Sequence, residues 1–285
     1  MGNIMPKLSK LYAFVAGIAL AAGLVTSAAF AKDATTLNVG TIVTYPPLEF
    51  KDPQTGKLTG FNHELLAAMA EKAGIKLNWI EFSWSDLASF APLNTGRVDI
   101  YGGLMGDFPP RRAAGVNFLD YMYEPYYLYV PSVNADKFMN PTALCGKRVA
   151  NTRSSGAMTA AVDKWSAENC AAAGLPAIEQ LGANSTPDQQ LMLKQGRVDA
   201  GYTGVGSLVQ AKRSGGDQYT AIGKPLARTM YGFSYLERNS GPVKALQKAL
   251  DELIADGSYE KLLEQWGLPI EDSSIGKSSL INAGE

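Results

Sequence analysis

The chain has 285 residues, with 26 basic and 27 acidic side chains, one histidine and two cysteines. A formal charge of −1 provides no basic face for nucleic acid or an anionic membrane surface. Two thiols and one histidine do not make a zinc site, and neither a metal nor another cofactor is expected.

Residues 1–31 read as an export signal. Lys7 and Lys10 supply the positive start, Leu11 to Phe30 is apolar and uncharged, and Ala29-Phe30-Ala31 has the small-x-small form of a cleavage site. An uncleaved anchor is the alternative, because the run is longer than most signal cores. Neither cysteine lies near the cut, which argues against a lipid-modified start. Cleavage would leave 254 residues from Lys32, with 24 basic and 27 acidic side chains and a net charge of −3. That length suits two lobes of ordinary domain size. No later stretch approaches the roughly 20 apolar residues that span a bilayer. In an exported protein Cys145 and Cys170 are expected to form one disulfide. Closing such a loop contributes roughly 3 kcal/mol in the chain-entropy model.

Thr36 to Val43 alternates as a strand and stops at Tyr45-Pro46-Pro47. Asp52-Pro53-Gln54-Thr55-Gly56 marks a hairpin, and Asn62 is placed to cap a helix ending at Gly74. Leu77 to Phe82 is the next strand, and Ser83 or Ser85 caps a helix reaching Thr95. Gly96-Arg97-Val98-Asp99 follows, and the same four residues return as Gly196-Arg197-Val198-Asp199. Each copy reads as a helix ended by a left-handed glycine and followed at once by a buried strand. The order strand, helix, strand, helix, strand predicts an α/β fold with a parallel sheet. It recurs from Arg148 through Ser155 to Ala173, Ile178 to Leu181 and Thr186 to Gln195, up to the second Gly-Arg-Val-Asp. The tyrosine-rich run Tyr121 to Pro131 reads as a crossover between two halves, with a return near Gly223 to Leu226. Two final helices cover Val243 to Ala255 and Tyr259 to Trp266, and residues 272–285 are expected to form a loose tail.

These pieces, in this order, resemble the family 3 periplasmic solute-binding proteins, the polar-amino-acid receptors of ABC importers. The resemblance rests on Tyr45-Pro46-Pro47-Leu48-Glu49-Phe50, Gly60-Phe61-Asn62, Trp84-Ser85-Asp86-Leu87, Gly96-Arg97-Val98-Asp99, Arg112 with Val116-Asn117-Phe118, Gly146-Lys147-Arg148-Val149, and Trp266-Gly267-Leu268. It implies a two-lobed "Venus flytrap" with two crossovers at a hinge: residues 32–125 plus 225–271 as lobe 1 and 126–224 as lobe 2. It implies a periplasmic, non-enzymatic and monomeric protein. Such a protein closes on a small solute and then docks on an inner-membrane permease.

Carried over by resemblance, Tyr45 and Trp84 are aromatic walls and Arg112 grips a ligand carboxylate. Gly103, Asp107 and Thr203 line the site, and Ser154 and Ser155 are donors opening the lobe 2 helix. Arg111 is the alternative to Arg112, because one residue is inserted in Gly102 to Pro110. The family's acid for an α-amino group falls on Gly204, after Thr203. Asp107 or Glu124 would have to replace it, unless the ligand has no amine. Blander roles are expected elsewhere: Asp99 and Asp199 as braces, His63 as a surface residue, and Tyr121 to Tyr129 as hinge packing. Two further classes compete with the importer reading. One is the accessory subunit of a quinoprotein oxidation system, and the other is a dehydratase, which needs a positioned acid or base.

Overall fold

The computed structural model describes residues 35–285 apart from 154 and 155. The export signal expected at 1–31 and the serine pair Ser154–Ser155 therefore lie outside the described residues.

Strand β1 (Thr36–Thr41) alternates at its start, is buried throughout from Val39 on, and is followed by a small antiparallel sheet. That sheet is β2 (Thr44–Tyr45), β3 (Glu49–Lys51) and β4 (Leu58–Thr59). Its second hairpin is closed as Asx turns are: Asp52 Oδ1 accepts from the backbone N–H groups of Gln54 and Thr55. Helix α1 (Phe61–Ala73) begins one residue before the expected Asn62 cap. Gly60 takes the N-cap at φ 117°, and a Cβ there would lie 2.4 Å from the Leu48 carbonyl oxygen. Only glycine fits both demands. Strand β5 (Lys76–Glu81) pairs in parallel with β1.

The helix expected from Leu87 to Thr95 is two short ones. Ser83 and Asp86 form a capping box for α2 (Trp84–Ala88). Phe90 then turns left-handed at φ 56°, and α3 (Ala91–Asn94) restarts with Pro92 in its first turn. Pro92 has no N–H to extend the earlier ladder, so a new start is the cheaper arrangement. Strands β6 (Ile100–Tyr101) and β7 (Met105–Gly106) and helix α4 (Pro109–Ala113) lead to the first long strand, β8 (Val116–Pro131).

The second half repeats the pattern. It contains β9 (Arg148–Thr152), α5 (Gly156–Asn169), β10 (Glu179–Ala183), α6 (Thr186–Lys194), β11 (Ala200–Gly204) and α7 (Val205–Gly215). A disulfide joins Cys145 to Cys170, as expected. The second long strand, β12 (Tyr219–Leu236), returns the chain to α8 (Ser240–Ala255) and α9 (Ser258–Trp266).

One sheet of order β10-β9-β11-β8-β12-β6-β1-β5 runs through both halves. Only β8 and β12 belong to both. They pair antiparallel from Val116–Leu236 to Pro131–Tyr219, with a register break between Ile222 and Ala227. There residues 223–226 stand opposite Tyr127 alone, which is where the return crossing was predicted. Apolar burial follows the same division. One cluster gathers Phe61, Leu65, Phe118, Phe233 and Leu250. Two others flank the sheet of the second half, around Val149 with Tyr202 and around Tyr129 with Met192. The result is the two-lobed α/β architecture with two crossovers.

Both Gly-Arg-Val-Asp copies do the same work. Gly96 and Gly196 are left-handed at φ 73° and 67°. Asp99 Oδ2 accepts from the backbone N–H of Asn38 at 2.8 Å, and Asp199 Oδ2 from that of Arg148 at 3.0 Å. Each aspartate thus pins the neighbouring parallel strand, β1 at its third residue and β9 at its first.

The segment after Asp272 differs from the loose tail expected from its polarity. It ends α10 (Ile270–Ser273) and then adds β13 (Leu280–Ile281) antiparallel to β8 at Leu119 and Asp120. In the first lobe β8 would otherwise be an uncovered edge, and β13 supplies its missing neighbour. Among the described residues no helix is long and apolar enough to cross a membrane.

Candidate ligand-binding cleft

Two adjoining cavities of about 650 and 230 Å³ lie between the lobes and meet at Tyr126 and Met158. Tyr126 comes from β8 at the hinge, and Met158 from the first turns of α5 in lobe 2. The smaller cavity has an aromatic and cationic lobe 1 wall, made by Trp84, Phe108 and Arg111. The larger is lined by hydroxyls and amides, including Ser185, Thr186, Gln190, Thr203 and Ser207.

Arg111 is the one charged side chain among the described lining residues. Its Nη1 donates to the Gly106 carbonyl oxygen at 2.7 Å, and its guanidinium lies over the rings of Phe108 and Phe90. Burial pulls its pKa below the ordinary arginine value, partly offset by Tyr231 and Asp107. A planar cation stacked on aromatic rings, in a cavity that adjoins one lined by hydroxyls and amides, is suited to a carboxylate.

The expected gripping residue, Arg112, is placed elsewhere. Its guanidinium pairs with the carboxylate of Asp107, whose side chain is wholly buried. Asp107 Oδ2 also accepts from the backbone N–H of Gly284 at 2.7 Å. Neither Asp107 nor Arg112 lines the cleft. The physical reason is the buried Asp107 carboxylate, which draws the Arg112 guanidinium to itself and takes a second donor from the docked tail. Gly103 is also away from the lining. It sits at φ 141°, and a Cβ there would be 2.3 Å from Asn62 Nδ2 and 2.7 Å from the Tyr121 hydroxyl. It permits close backbone packing under the loop that carries Arg111.

Other expected residues do meet at the cleft. Trp84, 49% exposed, stands on the smaller cavity, and Tyr45 on the larger. Burial, then the nearby Glu124 and Tyr126, holds the Tyr45 hydroxyl well above the usual phenol range. Thr203 lines the larger cavity with its hydroxyl 2.9 Å from that of Thr186. Ser154 and Ser155 are not described.

Gly204, where the resemblance would place an acid, lines the larger cavity. Its missing side chain is replaced in space by Glu124 of β8, whose Oε1 would lie 2.3 Å from a Cβ at 204. Glu124 Oε1 accepts from the Gly206 N–H at 3.1 Å, at the start of α7, while Oε2 has no partner. Burial pushes this carboxyl up to about 8. Glu49, under the same lobe, is pushed to about 8 by burial against a 2.5 Å bond from the Thr41 hydroxyl.

The sequence reading included Phe108 and Tyr202 only within the segments Gly103 to Arg112 and Tyr202 to Gly204, missed Tyr231 and Met158, and placed Tyr126 in the hinge packing. The alternation of Tyr121 to Tyr129 contained a signal for Tyr126, since a strand shared by two lobes shows one face to the space between them. His63 lies outside the cleft, with its ring 4.5 Å from that of Trp79. Among the described residues no cluster of three or more His, Cys, Asp or Glu side chains could hold a metal ion.

A family model described as bacterial extracellular solute-binding proteins, family 3, matches residues 37–269. The L-cystine-binding protein TcyA of Bacillus subtilis (strain 168) is 26% identical over 232 residues, 81% of this chain and 80% of that one. A probable histidine-binding protein of Campylobacter jejuni is 27% identical over 250 residues, 82% of this chain and 85% of its own length. A solved structure of a probable amino-acid ABC transporter extracellular-binding protein from Bacillus subtilis shares the fold. Its TM-score is 0.69 at 24% identity, covering 82% of this chain and 98% of that one.

Proposed function

The chain belongs to family 3 of the bacterial extracellular solute-binding proteins, and from that premise we propose that it is the periplasmic substrate-binding component of an ABC importer. Its ligand is a small, polar, carboxylate-bearing and amino-acid-like solute, taken up between the two lobes and delivered to an inner-membrane permease. The observation that carries this reading is Arg111, the one charged residue among the described lining, in a cavity that adjoins one lined by lobe 2 hydroxyls and amides. In the open cleft the carboxylate gains only the arginine. Closure about β8 and β12 brings the second wall to it, so the ligand favours the closed state by its contacts there. Residues 32–125 plus 225–271 and 126–224 are the two bodies proposed to move.

Relatives named for cystine and for histidine make amino acids the first compounds to try. The test is thermal melting against a panel of the twenty amino acids, L-cystine, and matching acids that lack the amine. A ligand at 100 times its Kd adds about 2.7 kcal/mol to stability, so a binder raises Tm in a concentration-dependent way. No shift with any carboxylate would sink the proposal. A stoichiometric protein partner recovered in place of a small ligand would favour the accessory-subunit reading. The dehydratase reading needs a positioned acid, and the carboxyl nearest the cleft, Glu124, is buried behind Gly204. Turnover of prephenate would revive it.

A further inference from the structure

Arg111 and Arg112 are chemically identical neighbours, yet one lines the cleft and the other is turned inward. Consecutive residues of a helical turn point about 100° apart, so fixing either side chain fixes the direction of the other. What fixes Arg112 is the buried Asp107 carboxylate, and what completes Asp107 is the N–H of Gly284, 177 positions further along the chain.

The segment around Gly284 is held by a continuous set of polar contacts. Ser279 N–H donates to Asp251 Oδ1 at 2.7 Å, and Leu280–Ile281 pair with β8. Asn282 donates its N–H to the Phe118 carbonyl at 3.1 Å and accepts the Phe118 N–H on Oδ1 at 2.8 Å. Ala283 N–H reaches Asp120 Oδ2 at 2.8 Å, and Gly284 N–H reaches Asp107. Gly284 is buried against the loop, and a Cβ there would lie 2.0 Å from the Asp107 carbonyl oxygen. These contacts converge on the two buried carboxylates beside the loop that carries both arginines.

We propose that residues 279–284 form a strap that commits Arg112 to its internal ion pair with Asp107 and thereby aims Arg111 into the cleft. Asp107, Arg112 and Gly284 are positioning residues in this scheme, and Arg111 is the residue that touches ligand. Without the strap Asp107 loses the Gly284 donor and its cover, water competes with Arg112 for the carboxylate, and the pair loosens so that both arginines sample the cleft. The strap's role in aiming a carboxylate grip rests on the function proposed above, but its hold on Arg112 does not.

The experiment therefore has a ligand-free arm and a ligand arm. Phenylglyoxal labelling with peptide mapping reads each arginine's accessibility in the intact protein, in Gly284→Ala, and in a chain lacking 279–285. Arg112 should be slow in the intact protein and faster by on the order of tenfold or more in both variants, the cost of a lost charged hydrogen bond. Equal Arg112 rates in all three proteins would overturn the strap. Should the deletion fail to fold, Gly284→Ala with its far-ultraviolet circular dichroism decides the matter. In the ligand arm, Arg111→Met is made with and without Gly284→Ala, using the amino acid with the largest melting shift. Its affinity loss should be smaller when the strap is released, because Arg112 then substitutes in part. Identical losses in the two backgrounds would reject the aiming role. A protein that binds no carboxylate fails the proposed function while the labelling result still decides the strap.

Discussion

The two Gly-Arg-Val-Asp segments are the same device followed by different constructions. Each has a left-handed glycine and an aspartate that takes a backbone N–H from the neighbouring strand, Asn38 in one lobe and Arg148 in the other. Past the aspartate they part. In lobe 1 the strand lasts two residues and gives way to Gly102–Gly106 and a short helix carrying two arginines. In lobe 2 it lasts five and runs directly into α7, with Gly204 as the N-cap. Scaffolding repeats because any parallel strand needs the same start. The chemistry lies where the copies differ, at the C-terminal ends of those strands, where open α/β sheets bind ligands.

The comparison breaks most severely at Arg111. Arg111→Met should weaken binding of a carboxylate ligand by about 100-fold or more, the cost of a truncated charge contact in a desolvated site. Its Tm without ligand should hardly move. Arg112→Met should instead lower Tm, by leaving the buried Asp107 carboxylate without its cation, and should weaken binding less than Arg111→Met does, because Arg111 loses its aim and keeps its charge. Isothermal titration and melting on the two proteins separate the roles. Loss of binding in Arg112→Met at unchanged Tm would restore the assignment expected from the family resemblance.

That exchange of roles marks the limit of what the sequence reveals. Alternation and glycine stops made the strands, the hinge run Tyr121 to Pro131 and the return near 223–226 legible, because each is encoded within a few neighbouring residues. The choice between Arg111 and Arg112 is not local. It depends on Gly284, whose only mark in the sequence is a glycine in a polar stretch that reads as loose. Glu124 is hidden for a similar reason. On its strand it looks like any alternating residue, and its relation to Gly204 appears only when β8 crosses beneath α7. The break at Phe90 is different: Pro92 marks it locally, and reading Leu87 to Thr95 as one helix passed over that mark.

The braces provide the middle-sized test, and they sharpen the comparison instead of breaking it. Asp99→Ala and Asp199→Ala each leave one strand N–H without its acceptor. Each should cost about 1–2 kcal/mol of stability, the range for a hydrogen bond to a charged acceptor that is partly exposed. The two losses should match within experimental error, and neither should change ligand affinity once the protein is folded. Urea titrations measure the first and calorimetry the second. A large affinity loss in either variant would mean that its aspartate reaches the cleft after all.

The smallest effect concerns pH, and it comes from the side of the molecule that contains β3 and β8. Burial pushes Glu49, Glu124 and Asp120 each up to about 8. In the unfolded chain such carboxyls release their protons near the ordinary value, about 4. Between those limits the native protein holds more protons than the unfolded one, so stability falls as pH rises and levels off above about 8. The native state is therefore most favoured by these groups at the acid end, opposite to proteins stabilised by ionised carboxylates. Glu124→Gln keeps an acceptor for the Gly206 N–H and removes the titration. It should flatten the decline of Tm between pH 5 and 8 and stabilise the protein relative to wild type at the alkaline end. A variant profile parallel to wild type would show that Glu124 is already ionised at neutral pH.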